Sequence, residues 1–340
     1  MRLAINGFGR IGRLLLRAIQ EYNLNDLTVV AINSTSNPSV CAHLFIWDSV
    51  HGPYRGPVDV SDIGFDLGQG EIKVFAERDP STLPWKELEI DLVLECTGDF
   101  VSRDAAFKHI DAGAKKVLIS SPAKDPDITI VYGVNHQDLK PDHRIISSAS
   151  CTTNCLAPVA SVLHKAVGIE RGFMTTIHAY TGDQRLVDGT HKDLRRARSA
   201  ALSMVPTSTG AAKAVTLVLP ELKGKLDGTA IRVPVANVSL VDFCFDASKS
   251  TSIEHLNNAF IEASQNNLKG VLDVNHLPLV STDFNHNPHS AIVDLAETKV
   301  MDGKFCRVLA WYDNEWGFSM RMLDTARLID FFRNSTAEAN

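Results

Sequence analysis

The hexapeptide Gly7-Phe8-Gly9-Arg10-Ile11-Gly12 constrains the fold of this chain more than any other stretch. It follows a short strand pattern, Leu3 to Asn6, and opens a segment in which Ile11, Leu14, Leu15, Ala18 and Ile19 recur at helical spacing. A second apolar run, Thr28 to Asn33, completes a βαβ unit. In such a unit the first glycine permits a tight turn and the second lets backbone approach a pyrophosphate. The third lets helix and strand pack closely, while the helix N-terminus faces the phosphates. The hexapeptide alone is a weak signal, but in this context it points to a dinucleotide. The same rule expects an acid near the end of the second strand, to hold the ribose hydroxyls. The sequence there reads Ile32-Asn33-Ser34-Thr35, with no carboxylate to repel a 2′-phosphate and two hydroxyls able to donate to one. Asn33 and Ser34 equally suit the ribose of NAD, so the cofactor stays open between NAD and NADP.

Further short runs at Ile72 to Phe75, Leu92 to Thr97, Lys116 to Ser120 and Ile128 to Gly133 alternate with helix-length segments, the signature of a doubly wound parallel sheet. Beyond Thr152 the pattern changes. A helix is expected to Val167, then strands at Phe173 to His178 and Thr229 to Pro234, with a loop from Tyr180 to Arg198. Val238 to Phe245 and Phe305 to Tyr312 have the mixed character of strands in an antiparallel sheet covered on one face. The fold class expected is therefore α/β: an N-terminal Rossmann-type doubly wound parallel sheet plus an α+β catalytic domain with a mainly antiparallel sheet. The dinucleotide-binding domain is placed at 1–150, completed by a C-terminal helix near 318–333, and the catalytic domain at 151–317. The last six residues, from Ser335, read as a frayed tail.

At 340 residues, two domains of ordinary size are expected, and 44% hydrophobic with 22% charged residues describes a globular chain rather than a disordered one. A net charge of −6 supplies no field toward nucleic acid or anionic lipid. The basic group Arg195, Arg196 and Arg198 is too short to overturn that. No apolar run approaches a membrane span, and the N-terminus enters a strand directly rather than a signal peptide, so a cytoplasmic protein is expected.

Six cysteines are scattered along the chain, unlike a disulfide framework. Cys41, Cys96, Cys244 and Cys306 sit among apolar residues and read as core packing. Cys151 differs. In Ser150-Cys151-Thr152-Thr153-Asn154-Cys155 it stands where the parallel-sheet pattern ends and a helix begins, and a helix N-terminus favours thiolate. Cys155, one turn on, reads as more buried. Zinc is a poor alternative for the pair, since no second cysteine–histidine cluster lies nearby to complete four ligands, and no metal is expected. A nucleophilic thiol needs a base, and position alone does not select one of twelve histidines. His178 is a candidate because it ends an apolar strand just before the polar loop Tyr180-Thr181-Gly182-Asp183.

The segments Ala4 to Arg13, Ser150 to Cys155, His178 to Gln184 and Trp311 to Gly317, in this order, resemble the phosphorylating glyceraldehyde-3-phosphate dehydrogenase family. The resemblance runs from residue 1 to about 333. It implies that Cys151 attacks an aldehyde to give a thiohemiacetal and that His178 takes the proton. Hydride then passes to NAD or NADP, and inorganic phosphate attacks the resulting thioester. It further implies that Thr181 and Arg232 bind the phosphate of glyceraldehyde 3-phosphate, while Ser150, Thr152, Thr209 and Gly210, with Arg196, hold the attacking phosphate. The implied cofactor contacts are Phe8, Gly9, Arg10, Ile11, Arg78, Thr97, Ser120 and Asn314, the last at the carboxamide. A homotetramer is implied as well, with the loop from Tyr180 to Arg198 reaching a neighbour's cofactor.

Three positions depart from the family pattern. Phe318 replaces a common tyrosine; Ser34 replaces the aspartate of NAD-specific members; and Gly189-Thr190 replaces their leucine-proline pair. The last two resemble the NADP-accepting branch, so dual use or NADP preference is expected. The segment Asp283 to Asp294 is similar to the sister erythrose-4-phosphate dehydrogenases, whereas Tyr180 to Asp183 and Pro206 to Ala212 are similar to the triose enzyme. A non-enzymatic role in RNA binding or oxidant sensing remains the alternative of another class; the acidic charge makes nucleic acid a secondary partner at most.

Overall fold

The structure, a computed structural model, describes residues 1–337, with side chains through Phe332. It divides into two compact units: Met1–Ile130, His136–Ala149 and Ser319 onward form the first, and Val131–Asn135 with Ser150–Phe318 form the second.

The first unit is built on nine strands. In chain order they and their helices are β1 (Arg2–Asn6), α1 (Arg10–Glu21), β2 (Thr28–Asn33), α2 (Pro38–Ile46), β3 (Asp59–Val60), β4 (Gly64–Asp66), β5 (Glu71–Phe75), β6 (Leu92–Glu95), α3 (Arg103–Asp111), β7 (Lys116–Ile119), β8 (Ile128–Thr129) and β9 (Ile145–Ser147). The sheet order is β3-β4-β5-β2-β1-β6-β7-β9-β8, parallel except for the antiparallel edge β3-β4-β5. The order reverses between β1 and β6, the crevice at which doubly wound sheets take ligands. Central strands are buried on both faces, so they read as continuous apolar runs, and Leu3, Ala4, Ile5, Leu92, Val93 and Leu94 have no exposed surface. Trp85, Ile90, Ala106, Ile110 and Val117 close one side of this core.

Two glycines of the hexapeptide, Gly7 and Gly12, act by close approach. Gly7 has φ +90, and a Cβ there would lie 2.6 Å from the Thr97 nitrogen; a Cβ on Gly12 would lie 2.2 Å from the Gly7 carbonyl oxygen. Gly9 would meet nothing within 4 Å.

The second unit begins with α4 (Cys151–Val167) and continues through β10 (Ile169–Ala179), β11 (Val205–Thr207), α5 (Ala211–Val218), β12 (Leu226–Val233), β13 (Ser239–Ala247), α6 (Ile253–Gln265), β14 (Leu272–Asn275), β15 (Ala291–Asp294), β16 (Lys299–Met301) and β17 (Phe305–Tyr312). Its sheet order is β11-β12-β10-β13-β17-β15-β14, with β16 paired to β17. The pairings are mainly antiparallel; β10 with β12 and β14 with β15 are parallel. Helix α4, buried along most of its length, packs against this sheet and beside α5 and α6. Helix α7 (Trp316–Ala337) ends the described chain. It starts earlier than expected because Asp313 Oδ1 accepts from the Glu315 and Trp316 nitrogens, at 2.9 and 2.7 Å. It also includes Ser335 to Ala337, where a tail was expected; Glu338, Ala339 and Asn340 lie outside the described residues. No helix among the described residues is long and apolar enough to cross a membrane.

Candidate active site

Cys151 is the first residue of α4, and Ser150 caps that helix, its Oγ accepting from the Thr153 nitrogen at 3.1 Å. The adjacent strand β10 carries His178 near its end, and His178 Nε2 lies 3.5 Å from Cys151 Sγ. The other ring nitrogen, Nδ1, lies 2.7 Å from the Ala179 carbonyl oxygen. A carbonyl only accepts, so Nδ1 carries the ring proton and Nε2 presents its lone pair to the thiol. Burial, and next the Arg232 guanidinium, push the His178 pKa down to about 3. The imidazole is therefore neutral and able to accept a proton at physiological pH.

Burial pushes the Cys151 thiol up, and Arg232 and Thr152 pull against it. The expectation of a depressed thiol from helix position alone is thus incomplete: desolvation is the larger effect, and Arg232 is the counterweight that the linear sequence did not reveal. Cys155, buried one turn deeper, is pushed well above the ordinary thiol value by burial first and by Cys151 second.

Arg232 arrives by sheet register, since it is the parallel partner of His178 across β10 and β12. Its Nη1 donates to the Ala179 carbonyl at 3.1 Å and to Thr181 Oγ1 at 3.2 Å, while its buried Nε has no hydrogen-bond partner. An unpaired buried guanidinium N–H is a donor in need of an anion. Thr152 Oγ1 lies 2.9 Å from the Tyr312 hydroxyl, which is also 2.9 Å from Thr176 Oγ1. The Tyr312 ring stands edge-on to the His178 ring at 6.0 Å. Tyr312 lies within the segment Trp311 to Gly317, and its place beside the pair emerges only when β17 pairs with β13 in the sheet.

The other expected phosphate contacts are placed less directly. Arg196 is tied to Asp183 at 2.6 Å and to Thr207 Oγ1 at 3.0 Å. Thr209 Oγ1 accepts from the Ala211 nitrogen at 3.2 Å, and Gly210 precedes the first turn of α5. Asn314 Oδ1 accepts from Ser239 Oγ at 2.7 Å, and Ser239 Oγ accepts from the Ala179 nitrogen at 3.0 Å, which fixes the Asn314 side chain through its oxygen.

In the first unit, a cavity of about 480 Å³ opens at the ends of β1, β2 and β6. Gly7, Phe8, Gly9, Asn33, Ser34, Arg78 and Thr97 line it, together with Thr35, Glu77 and Asp99. The open space in front of Gly9 is what a pyrophosphate approaching the backbone requires, so these residues fit a dinucleotide. Not every expected contact presents itself there. Arg10 is paired with Asp48 at 2.5 and 3.2 Å, and Gly12 packs on the Gly7 carbonyl. Ile11 and Ser120 lie outside the lining. Both ends of the Asn33 amide are committed within the protein, to Asn6 and to the Glu77 backbone. The carboxylate absent from the end of β2 is matched by Glu77 and Asp99, brought to the cavity from elsewhere in the chain.

Comparison with known proteins agrees with this geometry. Residues 1–103 match the profile described as glyceraldehyde 3-phosphate dehydrogenase, NAD binding domain, and residues 150–314 match that of the C-terminal domain. The chain is 61% identical to the glyceraldehyde-3-phosphate dehydrogenase of Xanthobacter flavus over 326 residues, covering 96% of this chain and 97% of the relative. It is 57% identical to that of Cereibacter sphaeroides and 58% identical to that of Pseudomonas aeruginosa, each over 96% of this chain and 97% of the relative. A nucleophile and base set by α4 and β10, beside a guanidinium with one buried N–H unpaired, and a glycine-lined dinucleotide cavity in the other unit, thus stand in a chain that belongs to the glyceraldehyde-3-phosphate dehydrogenase family.

Proposed function

We propose that the protein oxidises D-glyceraldehyde 3-phosphate with NAD or NADP and inorganic phosphate to 1,3-bisphosphoglycerate, reversibly. The observation that carries this reading is the 3.5 Å approach of His178 Nε2 to Cys151 Sγ, with Nδ1 pinned to the Ala179 carbonyl. Cys151 Sγ adds to the aldehyde carbon as its proton moves to His178 Nε2, giving a thiohemiacetal whose oxygen the imidazolium steadies. The bound dinucleotide supplies the hydride acceptor. A phosphate oxygen then attacks the thioester carbon on Cys151, the C–S bond breaks, and the sulfur leaves as thiolate to be reprotonated by His178. Arg232, through its unpaired Nε, and Thr181 hold the phosphate of the substrate. Ser150, Thr152, Thr209 and Gly210 hold the attacking phosphate, with Arg196 available if Asp183 yields it.

The first unit supplies the dinucleotide domain and the second the catalytic domain. Ser34, Thr35 and Arg78 at the cavity support acceptance of a 2′-phosphate, while Glu77 and Asp99 support the ribose hydroxyls of NAD, so we favour dual use. Exposed Leu186, Val187, Leu194, Leu202 and Met204 support a homotetramer assembled in part through this loop. Six unpaired cysteines support a reducing, cytoplasmic setting.

The test is an assay of the purified protein with glyceraldehyde 3-phosphate, with and without phosphate, following reduction of NAD and NADP in parallel, and repeated with erythrose 4-phosphate. Phosphate-dependent reduction with the triose, lost in Cys151→Ser, is expected. Preference for erythrose 4-phosphate would move the chain to the sister activity, and a tenfold or greater kcat/KM advantage for NAD would reject dual use.

A further inference from the structure

A buried carboxylate and imidazole of the first unit, Glu95 and His109, take no part in the reaction, and both side chains are wholly without exposure. They are the centre of a hydrogen-bond chain whose outer members, Asn6, Asn33, Glu77 and Thr97, line the dinucleotide cavity.

The direction of every bond in this chain is determined from its two ends. At one end the Glu77 backbone N–H donates to Asn33 Oδ1 at 2.9 Å, which fixes the amide, so Asn33 Nδ2 donates to Asn6 Oδ1 at 2.7 Å. Asn6 consequently turns its nitrogen to Glu95 Oε2, at 2.5 Å. At the other end the Trp85 indole N–H, which can only donate, lies 2.9 Å from His109 Nδ1. That nitrogen must be bare, so the ring proton sits on Nε2, 3.0 Å from Glu95 Oε2; Asn6 Nδ2, 3.3 Å from Nε2, donates beside it to the same oxygen rather than to the ring. The Thr97 nitrogen, at 2.8 Å, and the Thr97 hydroxyl serve Glu95 Oε1. All four donors converge on Glu95 and none asks it for a proton. It is therefore a carboxylate, held by neutral dipoles; among the described residues no lysine or arginine pairs with it.

We propose that Glu95 and His109 are positioning residues for the dinucleotide site. Resting on the reading that this cavity takes a dinucleotide, the inference is that the buried anion locks the orientation of Asn6 and Asn33 and the turn at Thr97, and so the spacing of the ends of β1, β2 and β6. Removing the His109 donor leaves Glu95 three donors in place of four and the Trp85 indole unpaired, so Glu95 Oε2 keeps Asn6 alone and its hold on the strand ends loosens.

The experiment is calorimetric titration of the full-length protein with NAD, together with kcat and KM, for wild type, His109→Leu and His109→Gln. Glutamine offers a donor and an acceptor at nearly the spacing of the two ring nitrogens. In His109→Leu the Kd and the KM for NAD are expected to rise about tenfold, with kcat at saturation within about twofold, because the buried carboxylate has lost one of its donors and the buried indole its acceptor. His109→Gln is expected to restore both to within about twofold of wild type. Nitrogen-15 spectra should show the resonance lost in His109→Gln as unprotonated at Nδ1 and protonated at Nε2. Unchanged NAD affinity in folded His109→Leu, equal losses in both variants, or a protonated Nδ1 would overturn the proposal. If the leucine variant does not fold, Glu95→Gln gives the same reading, since its amide nitrogen would face the donors; unchanged affinity there overturns the proposal equally. A wild-type protein that binds no NAD would instead remove the reading of the cavity itself.

Discussion

His178 and Arg232 share a single acceptor, the carbonyl oxygen of Ala179, at 2.7 and 3.1 Å. The shared acceptor fixes the imidazole tautomer and holds a positive charge beside the ring, so the base is neutral until it takes the proton of Cys151. Replacing it with His178→Asn removes the proton acceptor while keeping a donor for Ala179. The rate of NADH formation in the first turnover is expected to fall by roughly 10²–10⁴-fold. A burst rate within tenfold of wild type in a stopped-flow experiment would exclude His178 as the base.

Arg232 acts on the thiol in the opposite sense to burial. Burial raises the Cys151 pKa and Arg232 lowers it, so Arg232→Leu leaves the upward push uncompensated. Since the thiolate forms only above its pKa, the pH profile of iodoacetamide alkylation should move to higher pH. The KM for glyceraldehyde 3-phosphate should rise by about tenfold or more, through loss of a charge-assisted hydrogen bond. A profile that stays in place would show that Arg232 does not govern the thiol.

Gly9 and Gly12 separate ligand approach from folding. Gly12→Ala drives a Cβ against the Gly7 carbonyl and is expected to cost about 1–3 kcal/mol of stability in urea unfolding. Gly9→Ala meets no protein atom, so its melting curve should match wild type while dinucleotide affinity falls. Unaltered NAD binding by Gly9→Ala would mean that the pyrophosphate does not lie against this turn.

Asp48 supplies a pH-dependent share of stability. Burial works against its charged form, yet hydrogen bonds from Arg10, His51 and Val50 bring the pKa down to about 2. A carboxylate depressed in the folded state stabilises above its unfolded pKa near 4, and that contribution is lost as pH falls through the folded value. Asp48→Asn should therefore lower stability by about 2 kcal/mol at pH 7. The gap from wild type should narrow below about pH 4 in urea titrations. A gap independent of pH would assign the loss to packing.

The βαβ unit, the helix opening at Cys151 and the strand ending at His178 were legible because each is written in local terms: period, glycine spacing and the break between apolar and polar runs. Helix α2 was not, although Asn37 caps it by accepting from the Val40 nitrogen at 3.0 Å, because its apolar residues fall on no single face. Strand β10 proved longer than the run Phe173 to His178, since pairing on both edges stabilises polar residues that no alternation marks. Arg10, Asn33 and Arg196 carry the side-chain types expected of contact residues, yet Asp48, Asn6 and Asp183 occupy them. Such commitments depend on partners up to 38 positions away for Arg10 and 44 for Asn33, and no spacing rule reaches that far.

The parallel register that sets His178 opposite Arg232 also limits how this enzyme can change. Side chains on a strand alternate between faces, so inserting or deleting one residue in β10 ahead of His178 would turn the imidazole away from Cys151 and offer Ile177 or Ala179 in its place. The same edit in β12 would move the guanidinium. Length changes in these two strands are therefore closed to drift, while the segment from Tyr180 to Met204, which no strand or helix holds, can gain or lose residues only where Thr181 and Arg196 keep their places.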